Sequence, residues 1–288
     1  MANAGSLTVG IAGSGRMASA LLAALSEKGI TVNWLLARDA GKSKNLADRY
    51  SVPIFRMDDV PEIPPAELVI LAVSDQAIGS MAAKLQPWLK GNSESVLIHT
   101  SGGTSVSVLS ESAAGHRFLG SLHPIQTFTG DENAGFFEGI YCSVVASGNS
   151  SDRQRVLELL QNLAEKLGMN PLTVDDETKK KLHTAAVFCS NYMATLVYAA
   201  RQVFKDDDVI SPEKLPSVMA PLMRTSLENI IRTDPESALT GPVKRGDGET
   251  IQRHLDLLQN NEQIKQLYRE LGKVTAELAG NKDLIRKL

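Results

Sequence analysis

Cysteine is almost missing from this chain. Its 288 residues include two, Cys142 and Cys189. Two thiols cannot form a disulfide framework, and their scarcity fits a reducing cytoplasm. An excess of charge of one sign is missing as well: 30 Lys and Arg stand against 33 Asp and Glu, for a net charge of −3. A protein that binds nucleic acid through its phosphates normally carries a basic excess, so nucleic acid is not expected as a partner. Long apolar runs are also missing, and none reaches the ~20 residues that span a bilayer. The longest approach to one, Leu7 to Leu25, is interrupted by Arg16 and by glycines and serines. With no basic segment before it, this stretch is not expected to be a signal peptide, and no membrane partner is expected. Residues 1–6, small and polar, are expected to lack order.

What is present is the material of two domains, at roughly 150 residues each. Up to about residue 175, short apolar runs rich in β-branched residues alternate with helical stretches. The runs are 7–12, 31–37, 68–73, 95–100, 117–122, 141–146 and 171–174, with 52–55 a shorter candidate. Several are continuously apolar, as in Leu68-Val69-Ile70-Leu71-Ala72-Val73, the pattern of strands buried on both faces of a mostly parallel sheet. Alternation at this spacing predicts an α/β fold: a Rossmann-type doubly wound sheet over 1–175, followed by an all-α domain over 176–288. In the second part the spacing predicts one long helix over 177–204, with Leu182, Ala186, Cys189, Met193, Leu196 and Ala200 as its apolar stripe. A helix over 212–231 is expected to break at Pro221. A helix over 249–278 carries Ile251, Leu255, Leu258, Ile264, Leu267, Leu271, Val274 and Leu278 on one face. The stripes read as ordinary helical core.

The first strand runs into Gly13-Ser14-Gly15-Arg16-Met17-Ala18, a match to the dinucleotide fingerprint G-x-G-x-x-A. Gly13 permits the tight turn, Gly15 lets backbone approach a pyrophosphate, and Ala18 allows close helix–strand packing. The following helix presents free N–H groups to the phosphate. Gly13, Ser14, Gly15, Arg16 and Met17 are therefore expected to bind the cofactor. At the end of the second strand Arg38, with Lys42 nearby, suits a ribose 2′-phosphate and favours NADP over NAD. Asp39 keeps NAD open, because an inward carboxylate would hold a 2′-hydroxyl instead.

Ligands of a doubly wound sheet sit beyond the carboxyl ends of its strands. Three segments fall there. Val73 and Ser74, followed by Asp75, are expected to wall the cofactor. His99-Thr100-Ser101-Gly102-Gly103 offers Ser101 to the cofactor and Gly102 to the substrate. His123, before Pro124, is a candidate proton donor or a partly buried histidine satisfied by backbone. On the long helix, His183 and Asn191 lie eight residues apart on one face, where His183 can donate a proton and Asn191 can hold an oxygen. The segment 238–247 concentrates Thr240, Lys244, Arg245 and Asp247, which can hold an anionic substrate or form a solvated loop. Lys179-Lys180-Lys181 reads as the solvated face of a helix start. No metal site is expected.

Gly13-x-Gly15-x-x-Ala18, Val73-Ser74-Asp75-Gln76-Ala77-Ile78, His99-Thr100-Ser101-Gly102, His123-Pro124-Ile125-Gln126-Thr127-Phe128 and Ala238-Leu239-Thr240-Gly241-Pro242 occur in this order. Together they resemble a bacterial family of Rossmann-like proteins with a helical C-terminal domain, the DUF2520 type, within the 6-phosphogluconate dehydrogenase-like superfamily. The resemblance implies a nicotinamide-dependent reductase, dimeric through its helical domain. Ketopantoate reductase and pyrroline-5-carboxylate reductase are relatives in that superfamily, so a 2-oxo acid such as ketopantoate, or an imine, is the implied substrate. The chain departs from the hydroxyacid dehydrogenase pattern in having Val187, not lysine, four residues before Asn191. That leaves His183 or His123 as the acid, and keeps open a regulatory dimer that binds NADP and a metabolite without turnover. The coenzyme F420 label attached to the family has no identifiable counterpart among these residues.

Overall fold

The structure is a computed structural model, and it describes residues 7–205 and 207–285. The expectation for residues 1–6 lies outside the described residues. The chain divides into two compact units, Met1–Ser190 and Asn191–Leu288. The division falls one helix later than the change in composition near residue 175.

In the first unit the elements alternate: β1 (Thr8–Ala12), α1 (Arg16–Glu27), β2 (Thr31–Leu36), α2 (Ala40–Arg49), β3 (Ile54–Phe55), β4 (Leu68–Leu71), α3 (Ile78–Gly91), β5 (Val96–His99), α4 (Ser107–Ser112), β6 (Leu119–Pro124), β7 (Tyr141–Ala146), α5 (Ser150–Lys166), β8 (Asn170–Thr173) and α6 (Asp176–Cys189). They form one eight-stranded sheet in the order β3-β2-β1-β4-β5-β6-β7-β8. All pairings are parallel except β6 with β7. The strand order reverses between β1 and β4, which opens a crevice at their carboxyl ends.

Side-chain alternation builds a core on each face of the sheet. Leu68 and Ile70 join Val9, Ile11, Leu35 and Ile98 on one face. Val69 and Leu71 join Trp34, Leu36 and Leu97 on the other. The apolar continuity of these strands thus reflects burial on both sides. Gly10 is required by its neighbour, since a Cβ there would lie 2.1 Å from the Trp34 ring. That ring meets Trp88 edge to face at 5.9 Å, a pair worth about 0.5–1.5 kcal/mol beyond area burial.

The second unit is helical: α7 (Asn191–Val203), α8 (Leu215–Arg232), α9 (Pro235–Ala238), α10 (Pro242–Arg245), α11 (Gly248–Leu257), α12 (Glu262–Leu278) and α13 (Lys282–Ile285). Three helix expectations change here. The long helix over 177–204 is interrupted at Ser190, where the backbone leaves helical geometry at φ −128° and ψ −67°. The helix over 249–278 is two helices, because Asn261 caps the second by accepting from the Ile264 amide. Conversely, α8 runs through Pro221 unbroken. The carbonyl that Pro221 leaves without a donor belongs to Ser217, an exposed residue that water can serve.

Nor does the stripe along 182–200 behave as core within this chain. Cys189 is exposed, and Met193 and Leu196 are 37% and 46% exposed. No helix among the described residues is long and apolar enough to cross a membrane.

Candidate functional site

The glycine turn after β1 has the required strain and space. Gly13 sits at φ +120°, and a Cβ on it would lie 2.2 Å from the Ala72 carbonyl oxygen. Gly15 is the opposite case. It is exposed, a Cβ there meets nothing within 4 Å, and it precedes α1 as an N-cap without any side-chain cap. The first amides of α1 are therefore left to an anion or to water. Ser14 is held by a 2.7 Å hydroxyl contact with Ser43. Arg16 is exposed and Met17 half-buried beside the turn.

At the end of β2, Asp39 does not turn toward the crevice. Its carboxylate caps α2, accepting from the Lys42 amide at 3.1 Å, and its other oxygen lies 3.7 Å from the Lys42 ammonium. Arg38 is exposed and takes part in none of the ion pairs found among the described residues. After β4, Val73 is half-buried, and Ser74 and Asp75 are exposed at the crevice.

The carboxyl ends of β5 and β6, with α6, bring together the histidines. His123 and His183 meet edge to face, with ring centroids 5.5 Å apart. Gly102 lies between them: a Cβ there would be 2.5 Å from His123 Nε2 and 2.7 Å from His183 Nδ1. His123 Nδ1 sits 2.9 Å from the Thr100 carbonyl, which can only accept. The proton of neutral His123 is thus on Nδ1, and Nε2 faces Gly102 with its lone pair. Burial pushes the His123 pKa below the ordinary histidine value, and the nearby His183 and Lys179 push it further; the Thr100 contact resists. Ser101 is buried, and its hydroxyl accepts from the Thr104 amide at 3.0 Å. It therefore shapes the turn that carries Gly102.

Lys179 departs most from expectation. Far from lying on a solvated face, it is 0% exposed. Its ammonium donates to the Thr104 carbonyl and to the Ser121 hydroxyl at 3.2 Å, and it pairs with Asp176 at 3.2 Å. Asp176 also accepts from the Ser105 hydroxyl at 2.6 Å and from the Val106 amide at 3.2 Å. Burial works against the Asp176 carboxylate, but these donors outweigh it and hold its pKa low. Burial lowers the Lys179 pKa, against the pull of Asp176. His99, on the strand beside Ser121, is pushed down to about 3 by burial and then by the Lys179 charge. A signal for this cluster existed in the sequence. Asp176, Lys179 and His183 follow at steps of three and four on one helix, but composition gave no reason to bury the first lysine of a triple.

The remaining expected residues lie in the second unit. Because of the break at Ser190, Asn191 opens α7 and does not share a helix with His183, so their eight-residue spacing no longer fixes a common face. The segment 238–247 is not a plain loop, since it contains the end of α9 and all of α10. Asp247 there caps α11 through Thr250 and is not free for an anion. Thr240, Lys244 and Arg245 are exposed, and the Lys244 ammonium reaches the Glu236 carbonyl at 3.4 Å. A cavity of about 600 Å³ opens at the amino ends of the strands, lined by Thr8, Asn33, Glu67, Ser95 and Arg155. It contains none of the histidines.

Known proteins resemble this chain along both of its parts. A family model described as NADP oxidoreductase coenzyme F420-dependent matches residues 8–102, the segment from β1 to Gly102. A second, described as a domain of unknown function, DUF2520, matches residues 147–275. A crystal structure from Bacteroides fragilis, assigned as an NADP oxidoreductase, is 26% identical with a TM-score of 0.78, covering 94% of this chain and 98% of that one. A Thermotoga maritima protein is 24% identical with a TM-score of 0.70, covering 96% and 99%. A 1-pyrroline-5-carboxylate reductase from Streptococcus pyogenes is 16% identical with a TM-score of 0.60, covering 94% and 98%, a likeness of fold. No curated protein matches in sequence. With the glycine turn in the first matched segment and the DUF2520 segment following it in the same chain, the protein is similar in both parts to Rossmann-like NADP-dependent oxidoreductases.

Proposed function

We propose that the protein is an NADPH-dependent reductase of a small 2-oxo acid, with ketopantoate the leading candidate, in a reducing cytoplasm. The observation that carries this reading is the imidazole pair His123–His183 at the carboxyl edge of the sheet that bears the glycine turn. Gly13, Ser14, Gly15 and the first amides of α1 would hold the pyrophosphate. Arg38, left unpaired while Asp39 caps α2, would hold the 2′-phosphate. Val73 and Ser74 would wall the adenine-ribose side of the cofactor, and Ser101 would border the nicotinamide.

A bound NADPH supplies hydride. The chain's own part is the proton. Addition of hydride to a carbonyl carbon leaves an alkoxide, which takes a proton from an imidazolium. His183 or His123, facing each other at Gly102, can deliver it. The missing side chain of Gly102 is what lets the two rings approach each other. The decisive experiment is NADPH oxidation with ketopantoate, pyrroline-5-carboxylate and a series of 2-oxo acids. Turnover with a 2-oxo acid supports the reading. Turnover with pyrroline-5-carboxylate alone would make the protein an imine reductase, and tight NADPH binding without any turnover would make it a sensor.

The protein is also proposed to act as a homodimer through its helical unit. In α7 and α8, Leu196, Leu222, Leu227 and Ile230 are between 43% and 65% exposed. They line an apolar groove of about 410 Å³ together with Met193 and Met223. Monomeric proteins seldom leave such a face open.

A further inference from the structure

We propose that Lys179 is the positioning residue of this site: its buried ammonium ties the turn over 101–106 to α6 and so holds His183 against His123 across Gly102. The inference rests on the reading of the imidazole pair as the proton donor.

The argument starts from cost. A buried ammonium must recover its lost hydration from hydrogen bonds and an opposite charge, and an apolar side chain of similar volume usually serves stability as well or better. Lys179 is nevertheless fully buried, with three partners on three segments: the Thr104 carbonyl in the turn after β5, Ser121 on β6 and Asp176 on α6 itself. Asp176 extends the tie to Ser105 and Val106. His183 is four residues beyond Lys179, one turn along the same helix face. Gly102 is in the turn that Lys179 grips. The two surfaces that must meet for the rings to pair are therefore joined through one nitrogen atom.

The charge has a second consequence at the same place. His123 is faced by His183 and Lys179 from α6, by Asp75 from the turn after β4 and by the Thr100 carbonyl from the end of β5. His99 is faced by Lys179, Asp176 and Asp75. Lys179 opposes a proton on either ring, Asp75 favours one on both, and Asp176 favours one on His99. A proton placed on His123 is thereby easier to give away.

The test uses the full chain with isotope-labelled histidine, titrated by NMR without cofactor or substrate. The variants are Lys179→Met, Lys179→Arg and the double variant Asp176→Asn with Lys179→Met. The double variant removes both charges together, so no buried charge is stranded if the single variant fails to fold. The His123 midpoint should rise by about half a pH unit or more in either Met variant, with Lys179→Arg restoring the wild-type midpoint and ring contact. NADPH affinity, set at the glycine turn, should not change. In the reductase assay, kcat should fall about tenfold or more in the Met variants. A folded double variant whose His123 titration and His123–His183 contact match wild type overturns the proposal. If wild type reduces no substrate but the titration and ring contact change as stated, the reductase reading fails and the positioning role stands.

Discussion

His123 and His183 come from a strand and a helix sixty residues apart in sequence, and their rings meet edge to face at 5.5 Å over the bare backbone of Gly102. Nothing larger than hydrogen fits at that α-carbon without moving a ring. Gly102→Ala should therefore separate the imidazoles and lower kcat by about a hundredfold. NADPH affinity, measured by fluorescence titration, should be retained. Unchanged kcat would mean the pair is not the proton donor.

The two glycines of the turn should fail differently. Gly13→Ala meets both a left-handed φ and the Ala72 carbonyl, so it should cost about 1–3 kcal/mol of stability as well as cofactor binding. Gly15→Ala has open space and an ordinary φ of −82°. It should leave the melting temperature in place and weaken only NADPH binding.

Arg38→Ala should raise the Kd for NADPH by about ten- to a hundredfold and leave NADH binding unchanged, as expected for loss of a charge-assisted phosphate contact. Asp39→Ala should instead cost about 1 kcal/mol through the lost cap of α2, seen in urea unfolding, without shifting the preference between the two nucleotides.

His99 and His123 both have lowered folded pKa values, the first to about 3. Below about pH 6.5 the unfolded chain takes up protons at these positions and the folded chain does not. Stability from this source is full above pH 6.5 and is lost as pH falls toward the folded values, by about 1.4 kcal/mol per unit for each ring. Unfolding midpoints measured from pH 7 to 4.5 should fall, and His99→Gln should flatten that fall. The rate of reduction should move the other way at first. It needs the imidazolium, so kcat/KM should rise as pH drops below 6.5 until unfolding intervenes.

Leu222→Glu places a charge on the exposed groove of α7 and α8. Light scattering should show a dimer for wild type and a monomer for the variant, with the circular dichroism spectrum unchanged. A monomeric wild type would remove the dimer proposal.

The glycine turn was legible because its chemistry is local. Gly13 and Gly15 are dictated by a φ value and by a close approach within a few residues, and the strand before them is apolar on both faces. The alternation of strands and helices was legible for the same reason, and the matched family segments follow it. Helix ends were less so. At Ser190 the backbone leaves helical geometry and Asn261 caps a new helix, whereas Pro221 does not interrupt one because its orphaned carbonyl partner is at the surface. Periodicity alone does not distinguish these cases.

Local sequence specifies the α/β order, the glycine turn and the candidate histidines, since each depends on neighbours in the chain. The folded chain selects which of them come together. It sets Asp39 on a helix end and leaves Arg38 exposed, brings His123 to His183, and buries Lys179 against Thr104, Ser121 and Asp176. Burial and charge pairing are properties of segments distant in sequence, and no local pattern records which lysine of three will lose its water.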